Sequence, residues 1–193
     1  MRLSAFKVST RLSLAFATIV LLSLLSSVLA LRSLATVQGQ LDDVVQSSSV
    51  KIRLNNELSE STHIVARVMR SALLLKEPAD QERELAKLMA ARKQYTESWS
   101  KLSKIPTSEQ GTTLRQAIAQ HHQRLVPLND QVLALGRAGR VPEAIELLMT
   151  KANPIAQALQ ESVDANLALQ EKNNQAQFEA ATAEYKGARL LLI

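Results

Sequence analysis

His63, Arg67, Arg70 and Leu74 are spaced four, three and four residues apart, so on a helix they share one stripe. Two guanidiniums a turn apart present forked donors that match the oxygens of a carboxylate. No acidic residue stands one turn away to neutralise them, since Glu60 and Glu77 lie seven positions from Arg67 and Arg70 respectively. The stripe therefore reads either as a solvated basic face or as a carboxylate grip. A second group is Arg92 with Tyr95 and Trp99, at inner positions of another helical run. A buried arginine requires an anion, from the protein or from a ligand; otherwise it snorkels outward and pairs with an exposed acid. Thr150 and Asn153 stand just before Pro154, where a hydroxyl and an amide either face a bound acid or cap a bend.

No constellation for catalysis accompanies these groups. The chain has no G-x-G-x-x-G, no G-x-x-x-x-G-K-[ST], no H-E-x-x-H and no G-x-S-x-G. It has no Cys, which removes disulfides, thiolate nucleophiles and Cys-based metal sites. Of its three His, the adjacent pair His121-His122 points in two directions from a helix and makes a poor metal site. His121 falls on the inner seam and reads as a core histidine. The expectation is a binding protein that is not an enzyme, with no metal and no cofactor.

The elements that hold these groups follow from hydropathy and from the breakers. Leu12 to Leu31 is twenty residues without a charge, flanked by Arg11 and Arg32. At about 1.5 Å per residue it spans about 30 Å, the thickness of a bilayer's hydrocarbon core. Arg2, Lys7 and Arg11 precede it and no acid appears before Asp42, so residues 1–11 are expected in the cytoplasm and the rest outside. Val28-Leu29-Ala30 resembles a signal-peptidase site, but the apolar run is longer than that of a signal and the helical pattern continues past it. An uncleaved anchor is the better reading. The net charge of +5 lies in the membrane flanks: between Ser33 and Tyr185 there are 17 basic and 18 acidic residues. Nucleic acid is thereby excluded as a partner.

Beyond the anchor, few Gly, Pro and aromatic residues and plentiful Ala, Leu and Gln predict an all-helical chain. Pro78, Pro106 and the cluster Gly136, Gly139, Pro142 divide residues 33–187 into helices of about 33–77, 79–105, 107–135 and 141–187. Short connections make neighbours antiparallel, giving an up-down-up-down four-helix bundle continuous with a transmembrane helix. Residues 188–193 read as the opening of a second membrane helix. Apolar residues recur at three and four in each rod: Leu58, Val65 and Met69; Leu88, Tyr95 and Leu102; Leu114, Ala117, His121, Leu125 and Val132; Ala152, Ile155 and Leu159. Polar residues interrupt the seams at Asn55 and Asn166, and Pro127 is expected to kink the third rod. Leaky seams suit a bundle that changes packing or is completed by a partner subunit.

This layout resembles the N-terminal sensor portion of a bacterial methyl-accepting chemotaxis protein. The resemblance is carried by MRLSAFKVSTRLSLAFATIVLLSLLSSVLAL, by HIVARVMRSALLL, by GRVPEAIELLMTKANPIAQALQESVDANLALQ and by the ending AEYKGARLLLI. It implies a receptor of the bacterial inner membrane with its four-helix sensor in the periplasm. It also implies an amino acid or small carboxylate bound near the membrane-distal end, and a homodimer formed through the first bundle helix. By position, Arg67 and Arg70 match the family's helix 1 arginines; Thr150 and Asn153 are looser matches, and Tyr95 looser still. The family's cytoplasmic linker and signalling helices are not in this sequence, so the chain reads as a truncated sensor module. Sensor histidine kinases share the same front end. The alternative to a ligand sensor is a bundle that binds a periplasmic protein or only dimerises.

Overall fold

In the computed structural model, which describes residues 8–42 and 48–190, most of the chain's breakers stand where helices start or stop. Six helices follow one another: α1 (Val8–Asp42), α2 (Ser49–Leu74), α3 (Pro78–Leu102), α4 (Glu109–Arg137), α5 (Val141–Leu147) and α6 (Asn153–Leu190). A single π-helical turn, Leu148–Ala152, joins α5 to α6. Among the described residues there is no strand. Arg2, Lys7 and the final residues 191–193 of the expected second membrane helix lie outside the described residues.

Each terminus has a local cause. Pro78 opens α3 at a position whose N–H has no helical acceptor, with Asp80 in the first turn. Ser108 caps α4, its side chain accepting from Gly111 N at 3.2 Å. Gly139, at φ +72°, closes α4, with Arg140 N donating to Leu135 O at 2.9 Å. Just before Pro154, where a bend is expected, stands the π-helical turn. Proline has no N–H to return to Thr150 O, and its ring crowds that carbonyl. The chain widens by one residue instead, Asn153 N donating to Leu148 O. Pro127 stands inside α4.

Two compact units are present: residues 1–45 with 175–193, and residues 46–174. In the first, α1 carries Leu12–Arg32, among the described residues the one helix long and apolar enough to cross a membrane. Its large side chains, among them Leu12, Phe16, Ile19 and Leu22, are exposed. Its hydroxyls turn back on the helix, Thr18 Oγ1 to Leu14 O and Ser27 Oγ to Ser23 O, both at 2.8 Å.

The second unit is the four-helix bundle: α2, α3, α4, and α5 with the first part of α6 as the fourth rod. Connections of three, six and three residues make successive rods antiparallel. The core is built from Leu54, Leu58, Val68, Met69, Leu88, Leu102, Ile118, Val132, Leu159 and Val163, all at most 1% exposed. Polar layers cross it. Asn166 Nδ2 donates to Asn55 Oδ1 at 2.7 Å with both residues fully buried, and Gln160 Nε2 donates to Ser59 Oγ at 2.6 Å.

One seam differs from the expected one. The inner stripe of α4 runs through Gly111, Arg115, Ile118, Leu125, Asn129 and Val132, displaced from Leu114, Ala117 and His121 in its first half. Arg115 and Asn129 are polar, and an apolar pattern search passes over them in favour of Leu114 and Ala117.

Candidate functional site

The interior of the bundle gathers part of the expected site. Arg92 and Tyr95 of α3 meet Ser61 and Thr62 of α2, His122 and Asn129 of α4 and Leu159 of α6 around a cavity of about 30 Å³. That volume holds one or two waters and excludes a dicarboxylate. Tyr95 is buried and stacks on His122, ring centroids 4.1 Å apart and planes 7° from parallel. The buried Tyr95 hydroxyl has no hydrogen-bond partner, and burial pushes its pKa up. Arg92 is half-buried and reaches outward to Asp130 of α4, Nη2 to Oδ1 2.7 Å, an ion pair off the hydrogen-bond direction. Its counter-ion is therefore the protein's own. His121, expected on the seam, is only partly buried with Nδ1 unpartnered, whereas His122 makes the ring contact.

Burial, and then the charge of Arg92, lower the pKa of His122 below its ordinary 6.5. Between 6.5 and the folded value the unfolded chain binds a proton that the folded chain refuses. Stability is therefore full above that window and is lost as pH falls through it. Melting of the wild type is expected to drop more steeply below about pH 6.5 than that of His122→Gln. Equal slopes in the two proteins would assign the loss to carboxylates elsewhere.

The outer face of α2 holds the rest. His63, Arg67 and Arg70 are all exposed. His63 and Arg67 line an open groove with Asn56, Ser59, Glu60 and Ile64, every one of them from α2. Arg70 Nε donates to Ala66 O at 3.0 Å. Among the described residues neither arginine is within ion-pair distance of a carboxylate. On α3, the carboxyl of Glu84 is held low mainly by Lys87 and in smaller part by the charge of Arg67. Along α2 itself no acid stands one turn from Arg67 or Arg70.

A family model described as a four-helix-bundle sensory module for signal transduction matches residues 5–185. The chain belongs to this family. Among solved structures, the module is similar to a periplasmic sensor domain of a sensor histidine kinase, with TM-score 0.62 and 18% identity. The match covers 76% of this chain and 95% of that one, and establishes the shared fold. No curated protein matches the chain.

In the sensory module, Thr150 and Asn153 make local contacts. Thr150 Oγ1 donates to Glu146 O at 2.7 Å, and Asn153 Nδ2 lies 3.2 Å from Met149 Sδ. Neither lines the interior cavity or the α2 groove. Among the described residues no three acidic or His side chains cluster to hold a metal ion. Sequence reasoning missed His122 and Asn129. The signal that finds them is the alternation of four and three through 111, 115, 118, 122, 125, 129 and 132, read without regard to polarity.

Proposed function

We propose that this sensory module is the periplasmic part of a bacterial inner-membrane chemotaxis receptor that binds a small organic acid or amino acid, with di- and tricarboxylates favoured. The observation that carries the reading is the α2 face, where Arg67 and Arg70 stand exposed, in no ion pair, beside His63. An exposed guanidinium keeps its forked donors available to a carboxylate at little desolvation cost. The groove has walls from one helix only, which suits a second copy of the chain closing it as a homodimer through α2. The interior cavity is too small for such a ligand. Binding shifts the bundle between two packings by its difference in affinity for them, and α6, unbroken from Asn153 to Leu190, passes the shift along its length. No catalytic step enters.

The similarity to a histidine-kinase sensor domain supports a second reading, in which the same sensing surface controls a kinase. The two readings share the ligand chemistry and differ in output.

The test is a thermal-shift screen of the full chain in detergent against organic acids and amino acids. A ligand at about 100 times its dissociation constant adds about 2.7 kcal/mol, several degrees for a domain of this size. The shift is expected to vanish in Arg67→Ala. No shift with any compound would sink the ligand-sensor reading in favour of a protein-binding bundle. A shift lost only in Arg92→Ala would move the site to the interior.

A further inference from the structure

The corner between α3 and α4 holds a charge that the fold does not neutralise. Arg115, nearly two turns inside α4, is 7% exposed. Its Nη1 donates to Ile105 O at 2.6 Å, while buried Nε and Nη2 have no hydrogen-bond partner. Burial alone lowers its pKa, and no carboxylate acts on it in the opposite direction. A guanidinium removed from water with donors unused is costly, and such groups are ordinarily paired with an anion.

An open groove lies against it. Trp99, Ser103, Lys104, Thr107, Thr112 and Arg115 line it, with two cations, three hydroxyls and no acidic side chain in the lining. Lys104 is exposed and in no ion pair among the described residues. The backbone is fitted to the loop. A Cβ on Gly111 would stand 2.1 Å from Thr107 Oγ1 and 3.2 Å from its Cβ, so a larger residue there would force the Thr107 side chain aside. Ser103 Oγ donates to Ser100 O at 3.4 Å and Thr112 Oγ1 to Ser108 O at 3.0 Å, bonds that a rotating hydroxyl can exchange for an arriving oxygen. Two cations with three hydroxyls serve a ligand of several oxygens better than a single carboxylate.

We propose that this corner is an oxyanion site for a phosphate group, either inorganic phosphate or the headgroup of an anionic phospholipid. Arg115 supplies the buried charge, Lys104 the exposed one, and Ser103, Thr107 and Thr112 the hydrogen bonds. The proposal is independent of the α2 face and survives the failure of the carboxylate reading.

Melting of the full chain distinguishes the sources. In neutral detergent, inorganic phosphate is compared with chloride at equal ionic strength; in nanodiscs, phosphatidylglycerol is compared with phosphatidylcholine. Arg115→Lys is informative only if it folds, so Lys104→Gln and Thr112→Val, which leave the Arg115–Ile105 bond in place, accompany it. Free phosphate as the ligand raises the melting temperature over chloride, with about tenfold weaker apparent affinity in Lys104→Gln. A headgroup raises it only in phosphatidylglycerol nanodiscs, and Lys104→Gln removes the rise. No rise in either medium, or a rise unchanged in Lys104→Gln and Thr112→Val, overturns the proposal and leaves Arg115 as a clamp on Ile105.

Discussion

Asn55→Leu is expected to destabilise the bundle by about 2–3 kcal/mol, although it puts an apolar side chain in a fully buried position. Asn55 Oδ1 accepts from Asn166 Nδ2 at 2.7 Å, and Asn55 Nδ2 donates to Lys51 O at 2.8 Å. Asn166 Oδ1 has no partner already. Removing Asn55 therefore leaves both ends of a buried amide unpaired, and the desolvation of that amide outweighs the added apolar contact. Asn55→Leu/Asn166→Leu is expected to recover most of the loss, because replacing both partners removes the unpaired group itself. A double-mutant cycle by urea denaturation measures the coupling, which should be about 2 kcal/mol. Additive single effects would mean that the bond at 2.7 Å contributes nothing in solution.

The pair also bears on signalling. A polar pair in an apolar seam is satisfied at one offset of α6 against α2, whereas leucines pack at several. Ser59 with Gln160 fixes the same offset about one turn along α2. The double variant should thus be stable yet poorly specified in register. Its response to ligand should weaken more than its folding does.

How far the sequence could be read depended on which residues carried the pattern. Leu12–Leu31 announced a membrane-length helix through absence of charge alone, and Pro78 and the Gly136–Pro142 cluster marked turns because nothing else in the chain breaks a helix there. Asn55 and Asn166 were placed on inner seams by spacing, and both are fully buried. The site was less legible. Whether Arg92 meets a ligand or a protein acid depends on Asp130, thirty-eight positions away on another helix, and no local spacing reports that. The influence of Arg67 on Glu84, from one helix to the next, is hidden for the same reason. Arg115 and His122 escaped because the phase of the first half of α4 was set by Leu114, Ala117 and His121, whereas the buried stripe runs through Gly111, Arg115 and Ile118.

Leu159→Ala is expected to cost about 3 kcal/mol and to report on the interior cluster at the same time. Leu159 is 1% exposed and forms one wall of the cavity of about 30 Å³ beside Tyr95 and Arg92. Truncation removes its own transfer energy and enlarges a void that packed helices cannot close. For a compact unit spanning residues 46–174, the melting temperature should fall by about 10 °C. The enlarged cavity then has room for a three-carbon molecule, and its chemistry decides which one enters. Arg92 is engaged by Asp130, and His122 is held towards its neutral form by burial and by Arg92, so a carboxylate arriving there would lose its hydration without gaining a free cation. The orphaned Tyr95 hydroxyl, in contrast, offers a neutral guest a hydrogen bond. Addition of 1-propanol should therefore restore part of the lost stability of Leu159→Ala, and propionate should not. Rescue by propionate would show that the Arg92 end accepts an anion, and would shift the acid-binding site from the outer face of α2 to the bundle's interior.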